Sequence, residues 1–122
     1  SVFWLPLMQK WVDDGESIRA VACDLRGYSP KAAPSNSSSY VYEKLVTDVY
    51  AIADAAGFND FHLVGHDHGA GLGWLTAATD GRVDGQQRVM SWTGMSVPHP
   101  DALSAVLYGP GAIEAQVVRP YD

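Results

Sequence analysis

The segment FHLVGHDHGAGLGW, residues 61–74, holds most of the residues whose types and spacing could do chemistry. An apolar, strand-like run leads into the pentapeptide GHDHG, and a stretch of small residues follows it. A chain that leaves a strand, reverses sharply and enters a helix places the residue at the reversal at an exposed tip, in a strained backbone conformation. Gly65 and Gly69 flank Asp67 at two residues' distance, where larger side chains would collide with the neighbouring strand and helix. The pattern therefore predicts a nucleophile elbow with Asp67 at its tip.

A carboxylate at such a tip favours a particular reaction. When a carboxylate attacks a saturated carbon it forms an alkyl ester of the protein, and water activated by a histidine then attacks the carbonyl carbon of that ester. Strained or activated carbons, as in epoxides and alkyl halides, suit this nucleophile. The backbone N–H of His68 lies at the start of the following helix, where it is expected to stabilise the oxyanion of the second step.

Dinucleotide binding is one alternative for the same glycines, because a strand, a glycine-rich turn and a helix are the context that such a loop needs. The spacing does not fit this interpretation. Gly69 and Gly71 would require a third glycine at position 74, which is Trp74. There is also no acidic residue about twenty positions further on at the end of a following strand.

Metal binding is the second alternative, since four possible ligands lie within seven residues: His62, His66, Asp67 and His68. Neither an HExxH nor a CxxC pattern supports them, and four ligands from so short a run are sterically awkward. Of the three interpretations only the elbow uses every small residue in the stretch, since Gly71 and Gly73 give the helix a low-profile face against the sheet. We assign no metal ligand and no cofactor.

The elements that must position this turn alternate along the chain. Apolar spacing, caps and breakers predict the order helix 4–14, strand 18–25, loop 26–39, helix 42–56, strand 61–64, helix 69–79, strand 88–97 and helix 101–108. Ser39 is the expected N-cap of the second helix, and Gly15 and Gly57 are expected to end the first two. Alternating helices and strands of this size predict an α/β fold with three layers, α/β/α, and a mainly parallel sheet.

Composition limits the partners. The chain has 122 residues, 47% of them apolar, and a formal net charge of -6. That charge argues against nucleic acid or an anionic membrane as a partner, and a small, neutral or cationic substrate is easier to reconcile with it. The single cysteine, Cys23, excludes an internal disulfide and is expected to be buried and inert. With no run long enough to span a membrane, the chain is expected to be soluble and cytoplasmic.

Three segments, VACDLRGYSP, FHLVGHDHGAGLGW and SWTGMSVPHPDAL, resemble in order and spacing the epoxide hydrolase-like branch of the α/β-hydrolase superfamily. The resemblance covers residues 4–107. It implies that Asp67 is the nucleophile and that the His68 backbone N–H is one oxyanion donor. It also implies that Arg26 ties its loop by a salt bridge, that His66 is a hydrogen-bonding scaffold, and that His99 is a rim or structural residue rather than the catalytic base.

The same resemblance implies that residues 1–122 are a partial α/β-hydrolase core domain. The missing remainder would hold the N-terminal strands with an HGxP loop, the cap domain, the charge-relay acid and the catalytic histidine. We expect the fragment alone to be inactive. A carbon–halogen hydrolase with the same Asp67 remains an alternative, although His68 stands where such enzymes commonly carry a tryptophan that grips the halide. A non-catalytic module with this fold is the other alternative.

Overall fold

The structure is a computed structural model that describes residues 2–82 and 85–110. The chain divides into two compact units, Ser1–Asn59 and Asp60–Asp122. The first unit contains helices α1, Leu5–Asp13, and α2, Tyr42–Ala55. The second contains β1, Phe61–His66, α3, His68–Thr79, β2, Val89–Met95, and α4, Pro100–Tyr108.

Both helices of the first unit end as the sequence predicts. Gly15 and Gly57 follow α1 and α2 with φ angles of 73° and 72°, a region that glycine enters at little cost. After α1, Glu16 N–H donates to the carbonyl of Trp11 at 2.9 Å; after α2, Phe58 N–H donates in the same way to Ala53 at 2.9 Å. These bonds satisfy carbonyls that the helix ends leave without intrahelical partners.

Helix α2 starts at Tyr42 as predicted, but its N-cap differs from the prediction. Ser39 is not the N-cap, because it lies within a short 3-10 turn, Ser37–Tyr40, that precedes the helix. Asn36 caps this turn, its side chain accepting the N–H of Ser38 at 2.9 Å. The helix then starts after Val41, which makes no side-chain cap hydrogen bond. The serine-rich segment is therefore used by the turn, and α2 begins two residues later than a Ser39 cap would place it.

The strand predicted over residues 18–25 is wrong. These residues form no strand, since a strand requires a hydrogen-bonded neighbour and the described residues contain only a two-stranded sheet, β1 with β2. The expectation that Cys23 is buried is wrong for the same reason, because without neighbouring strands its thiol is exposed. An apolar run alone indicates that a segment tends to be extended, but a strand also needs a neighbouring strand with which to form hydrogen bonds.

Arg26 anchors the loop that follows this segment, as the resemblance implied. Its Nε donates to Oδ2 of Asp48 in α2 at 2.8 Å and its Nη2 to Oδ1 at 2.6 Å, while Nη1 donates to the carbonyl of Ser39 at 2.9 Å. The hydrogen bond to Asp48 raises the pKa of Arg26 above its ordinary value, against a smaller lowering by burial. A planar guanidinium makes all three bonds at once because its donors form a fixed fork.

The second unit contains the predicted parallel pairing. Strands β1 and β2 run side by side with Leu63 opposite Trp92, Gly65 opposite Gly94 and His66 opposite Met95. Helix α3 connects them as the crossover and packs against both. Among the described residues of this unit, the buried side chains come from the start of β1 and from α3: Phe61, Ala70, Leu72 and Thr76. Two parallel strands and a connecting helix thus form the platform from which the turn at residues 66–68 projects.

Among residues 2–82 and 85–110, no helix has the length and apolarity needed to cross a bilayer.

Candidate active site

Asp67 forms the turn between β1 and α3. It has φ 54° and ψ -122°, and apart from Ser96 it is the only non-glycine residue in the described part of the chain with a positive φ. For a residue with a Cβ, this backbone conformation costs on the order of 1–3 kcal/mol and persists only when the surroundings enforce it. Its carbonyl accepts the N–H groups of Ala70 at 2.8 Å and Gly71 at 3.1 Å, so the first turn of α3 begins on Asp67 itself.

The Asp67 side chain is exposed and is not used to cap α3. Aspartate is one of the preferred N-cap residues because its carboxylate can accept a backbone N–H of the first helical turn. Here the residue occupies the N-cap position without making that hydrogen bond. In the part of the chain that the structure describes, no ion pair or side-chain hydrogen bond holds the carboxylate. The carboxylate is therefore free to act on a molecule outside the helix.

The glycine before the elbow is sterically required. A Cβ at Gly65 would lie 2.7 Å from the carbonyl carbon of Gly69 and 2.7 Å from Cη2 of Trp92. The first of these contacts is with the helix backbone, which cannot rotate away as a flexible side chain could. Gly73 is also required, because a Cβ there would overlap the ring of Trp92, with Cζ2 at 2.6 Å. Together these two glycines let α3 approach the strands closely.

Gly69 does not have the role that the sequence assigned to it. Its predicted function was to avoid a collision with the neighbouring strand and helix, yet among the described residues a Cβ at this position would meet no atom within 4 Å apart from its chain neighbours and the nearby backbone of α3 itself. The close approach at the elbow instead involves the backbone of Gly69, which faces the missing side chain of Gly65. These contacts therefore require a small residue only at the first glycine of the GHDHG pentapeptide.

Two tryptophans fill the space beside the elbow, and sequence reasoning gave them no role in the site. The rings of Trp74, on α3, and Trp92, on β2, meet edge to face with centroids 5.7 Å apart. Trp74 Nε1 donates to the carbonyl of Val97 at 3.0 Å, which ties the helix to the segment after β2. Trp92 Nε1 is buried and has no hydrogen-bond partner among the described residues. The available signal was the pair of glycines at positions 65 and 73, which leave room for the ring of Trp92.

The histidines of residues 61–74 differ in their contacts. His62 pairs across the sheet with the hydroxyl of Ser91, at 2.7 Å from Nδ1, and so faces a polar neighbour rather than the elbow. His66 ends β1 opposite Met95 and is exposed, as is His68. Within residues 2–82 and 85–110, no three His, Cys, Asp or Glu side chains come together in a group that could hold a metal ion.

His99 caps α4. Its Nδ1 accepts the N–H of Asp101 at 3.1 Å, and its ring meets that of Trp74 edge to face with centroids 4.9 Å apart. A ring nitrogen that accepts a backbone N–H and a ring that packs against tryptophan describe a residue held in a structural position. This geometry agrees with the expectation that His99 is a rim or structural residue.

His68 is the first residue of α3. The N–H groups of a first helical turn point out of the helix end, where the helix dipole also favours negative charge. These groups therefore stand beside Asp67, which is the N-cap of the same helix. Asp67, whose carboxylate does not cap α3, is thus followed directly by the first residue of that helix.

Comparison with known proteins identifies the family of this chain. A family described as alpha/beta hydrolase fold matches residues 4–112. The mouse protein "Epoxide hydrolase 4" is 31% identical over 102 residues, which are 84% of this chain and 27% of the mouse protein. The Xenopus tropicalis "Epoxide hydrolase 3" is 37% identical over 84 residues, 69% of this chain and 22% of that protein.

A solved structure gives the same relationship in three dimensions. The crystal structure of an epoxide hydrolase from Vigna radiata superposes with a TM-score of 0.54 at 30% sequence identity. The match covers 80% of this chain and 33% of the Vigna radiata chain. This chain thus spans about a quarter to a third of the length of these relatives. On the match over residues 4–112, the chain belongs to the α/β-hydrolase fold family, as a partial chain similar to its epoxide hydrolase-like members.

Proposed function

We propose that this chain carries the nucleophile of an epoxide hydrolase, and that Asp67 is that nucleophile. The observation that carries the proposal is the conformation of Asp67. It combines a positive φ between β1 and α3 with an exposed carboxylate that caps nothing. The relatives of this chain that are named epoxide hydrolases support an epoxide as the class of substrate.

In the first step, one carboxylate oxygen of Asp67 attacks a ring carbon of the epoxide. A C–O bond forms to Asp67 and the strained C–O bond of the ring breaks. The released oxygen leaves as an alkoxide and takes a proton, which gives a hydroxyl group. The product is a hydroxyalkyl ester of Asp67, and the relief of ring strain drives its formation.

In the second step, water attacks the carbonyl carbon of the ester. A base removes a proton from the water, the carbonyl oxygen becomes an oxyanion, and the ester bond then breaks to release a diol. The backbone N–H of His68 donates to this oxyanion. A donor at this position is worth roughly 10²–10³ in kcat in enzymes of comparable chemistry. The base and the proton donor of the first step are expected in the remainder of the protein, so residues 1–122 alone should show negligible turnover.

Mass spectrometry of the full-length protein tests the nucleophile directly. Single turnover in water labelled with the heavy oxygen isotope should place the label in the peptide that contains Asp67, because the water oxygen enters the ester carbonyl. The diol of that first turnover should carry the original oxygen of Asp67. Direct attack of water on the epoxide would reverse this result, with labelled diol and unlabelled protein, and would refute the proposal.

The Asp67→Asn variant supplies the matched control, since it preserves the shape of the side chain. We expect no ester and a loss of turnover of roughly four orders of magnitude or more, because the nucleophile itself is removed. Reaction with alkyl halides but with no epoxide would assign the same carboxylate to carbon–halogen hydrolysis. If neither class of reagent gives an adduct, the chain is a non-catalytic module with this fold.

A further inference from the structure

We propose that Ser96, the residue after β2, is a positioning residue for Asp67. Its hydroxyl oxygen accepts the backbone N–H of Asp67 at 3.1 Å. The inference rests on the proposed function in that Asp67 is taken as the reacting group. Neither the sequence pattern nor the resemblance gave Ser96 any role.

The first argument is the coincidence of two strained residues. Asp67 and Ser96 are the non-glycine residues with positive φ in the described part of the chain, at 54° and 65°. They are 29 positions apart in sequence and are joined by a hydrogen bond. Such conformations persist where the surrounding structure over-determines them. A direct bond between the two shows how each helps to hold the other.

The hydroxyl of Ser96 has a defined orientation. It donates its single proton to the carbonyl of Met95 at 2.6 Å, which leaves its lone pairs for the N–H of Asp67. The same N–H also lies 3.3 Å from the carbonyl of Met95, so the donor is shared between the two acceptors. These three residues form a closed set of hydrogen bonds at the end of the sheet.

The position of Ser96 follows from the register of the sheet. The last pair of the parallel ladder is His66 opposite Met95. Asp67 and Ser96 are the next residues along the sequence, at the point where the backbone leaves β1 and β2. The serine hydroxyl thereby continues the ladder with a side-chain acceptor at the level where Asp67 turns away.

The consequence concerns the direction of the Asp67 side chain. Its carbonyl is fixed by the N–H groups of Ala70 and Gly71, and its own N–H is fixed by Ser96 and Met95. With both sides of the residue held, the direction of its Cα–Cβ bond is set. Small displacements of a reacting group lower reaction rates strongly, because few encounters then reach the attacking geometry.

Alanine and glycine at position 96 test this role in the full-length protein. The readouts are the rate of ester formation on Asp67 at saturating epoxide and the concentration that gives half that rate. For Ser96→Ala we expect the saturating rate to fall by about five- to tenfold, with little change in half-saturation, because one hydrogen bond to the reacting residue is lost. Ser96→Gly removes the same hydroxyl but tolerates a positive φ, so an equal fall in both variants assigns the effect to the hydroxyl.

Two further variants complete the set. Ser91→Ala removes an exposed hydroxyl within β2, one that contacts His62 and not Asp67, and should react at the wild-type rate. Ser96→Asn keeps an oxygen acceptor on a residue that tolerates positive φ, and should recover most of the rate. A rate in Ser96→Ala equal to that in Ser91→Ala would overturn the inference. A rate that follows the free energy of unfolding across all variants, regardless of the hydroxyl, would also overturn it.

The inference and the proposed function fail in distinguishable ways. If the wild-type protein forms no ester, the proposed function fails, and amide hydrogen exchange at Asp67 then tests the positioning bond alone. Faster exchange in Ser96→Ala than in Ser91→Ala supports the bond, and equal exchange overturns it.

Discussion

Replacing Gly65 and Gly69 by alanine, one at a time, should have opposite effects on stability. The two glycines stand symmetrically about Asp67 in the sequence, and the elbow pattern treats them as equivalent. The structure does not, because only the Gly65 position meets other atoms when a methyl group is added. The pair of variants therefore separates what the motif implies from what the packing requires.

The magnitude for Gly65→Ala follows from its contacts. The new Cβ would approach the carbonyl carbon of Gly69 and Cη2 of Trp92 to 2.7 Å, closer than Cβ atoms approach other heavy atoms. Overpacking of this kind costs about 1–3 kcal/mol, and we expect the upper half of that range because one contact is with helix backbone. The start of α3 must move, so ester formation on Asp67 should fall by about 100-fold as well.

The magnitude for Gly69→Ala has the opposite sign. The residue lies in the first turn of α3, and its Cβ would meet nothing within 4 Å among the described residues. Alanine at a helical position is favoured over glycine by about 0.5–1 kcal/mol, because glycine loses more conformational freedom on folding. The free energy of unfolding should therefore rise slightly or stay unchanged.

Urea denaturation of the full-length variants measures both quantities, with the slope of the transition compared to confirm that the unfolded states are alike. The expected separation between the two variants is about 2–4 kcal/mol. Equal destabilisation by both substitutions would refute the reasoning, since it would show that the Gly69 position is as crowded as the motif implies. A stable Gly65→Ala would show that α3 adjusts at no cost.

Two further predictions concern the elbow and the loop. Asp67→Gly should raise the free energy of unfolding by about 1 kcal/mol, since glycine adopts a positive φ without strain. The same variant should form no ester. A fall in its stability would show that the Asp67 backbone is not strained. Arg26→Lys should make the loop at residues 27–40 more sensitive to limited proteolysis, because lysine cannot make the paired bonds to Asp48. Lys10→Ala, which removes an exposed ion pair within α1, is the control, and equal cleavage of both variants would contradict the anchoring role of Arg26.

Local signals predicted the local features. The elements of the second unit and the glycines that end α1 and α2 were anticipated from residue types and spacing, and the salt bridge of Arg26 was implied by the resemblance. These features depend on neighbours in sequence or on strong pairing preferences. Glycine after a helix, for example, is selected by a backbone conformation that the chain must adopt there.

Features that depend on distant partners were missed. The apolar run at residues 18–25 looks like a strand, but the described residues provide no strand beside it. One local feature was missed as well, because Ser39 has the right chemistry for a cap, yet Asn36 caps the turn that contains it. Trp92 was not assigned to the site from the sequence, although its ring is the reason that Gly73 cannot carry a side chain.

The sequence by itself predicted which residue lies at the turn between β1 and α3, because glycines two positions before and after an aspartate, between a strand-like and a helix-like run, are typical of such a reversal. Only the tertiary structure decided which flanking glycine is required and that Ser96 holds the N–H of Asp67. The physical reason is that close packing and hydrogen bonding across the sheet depend on which residues of β1, β2 and α3 face each other. That register joins positions about thirty residues apart, and no local pattern encodes it.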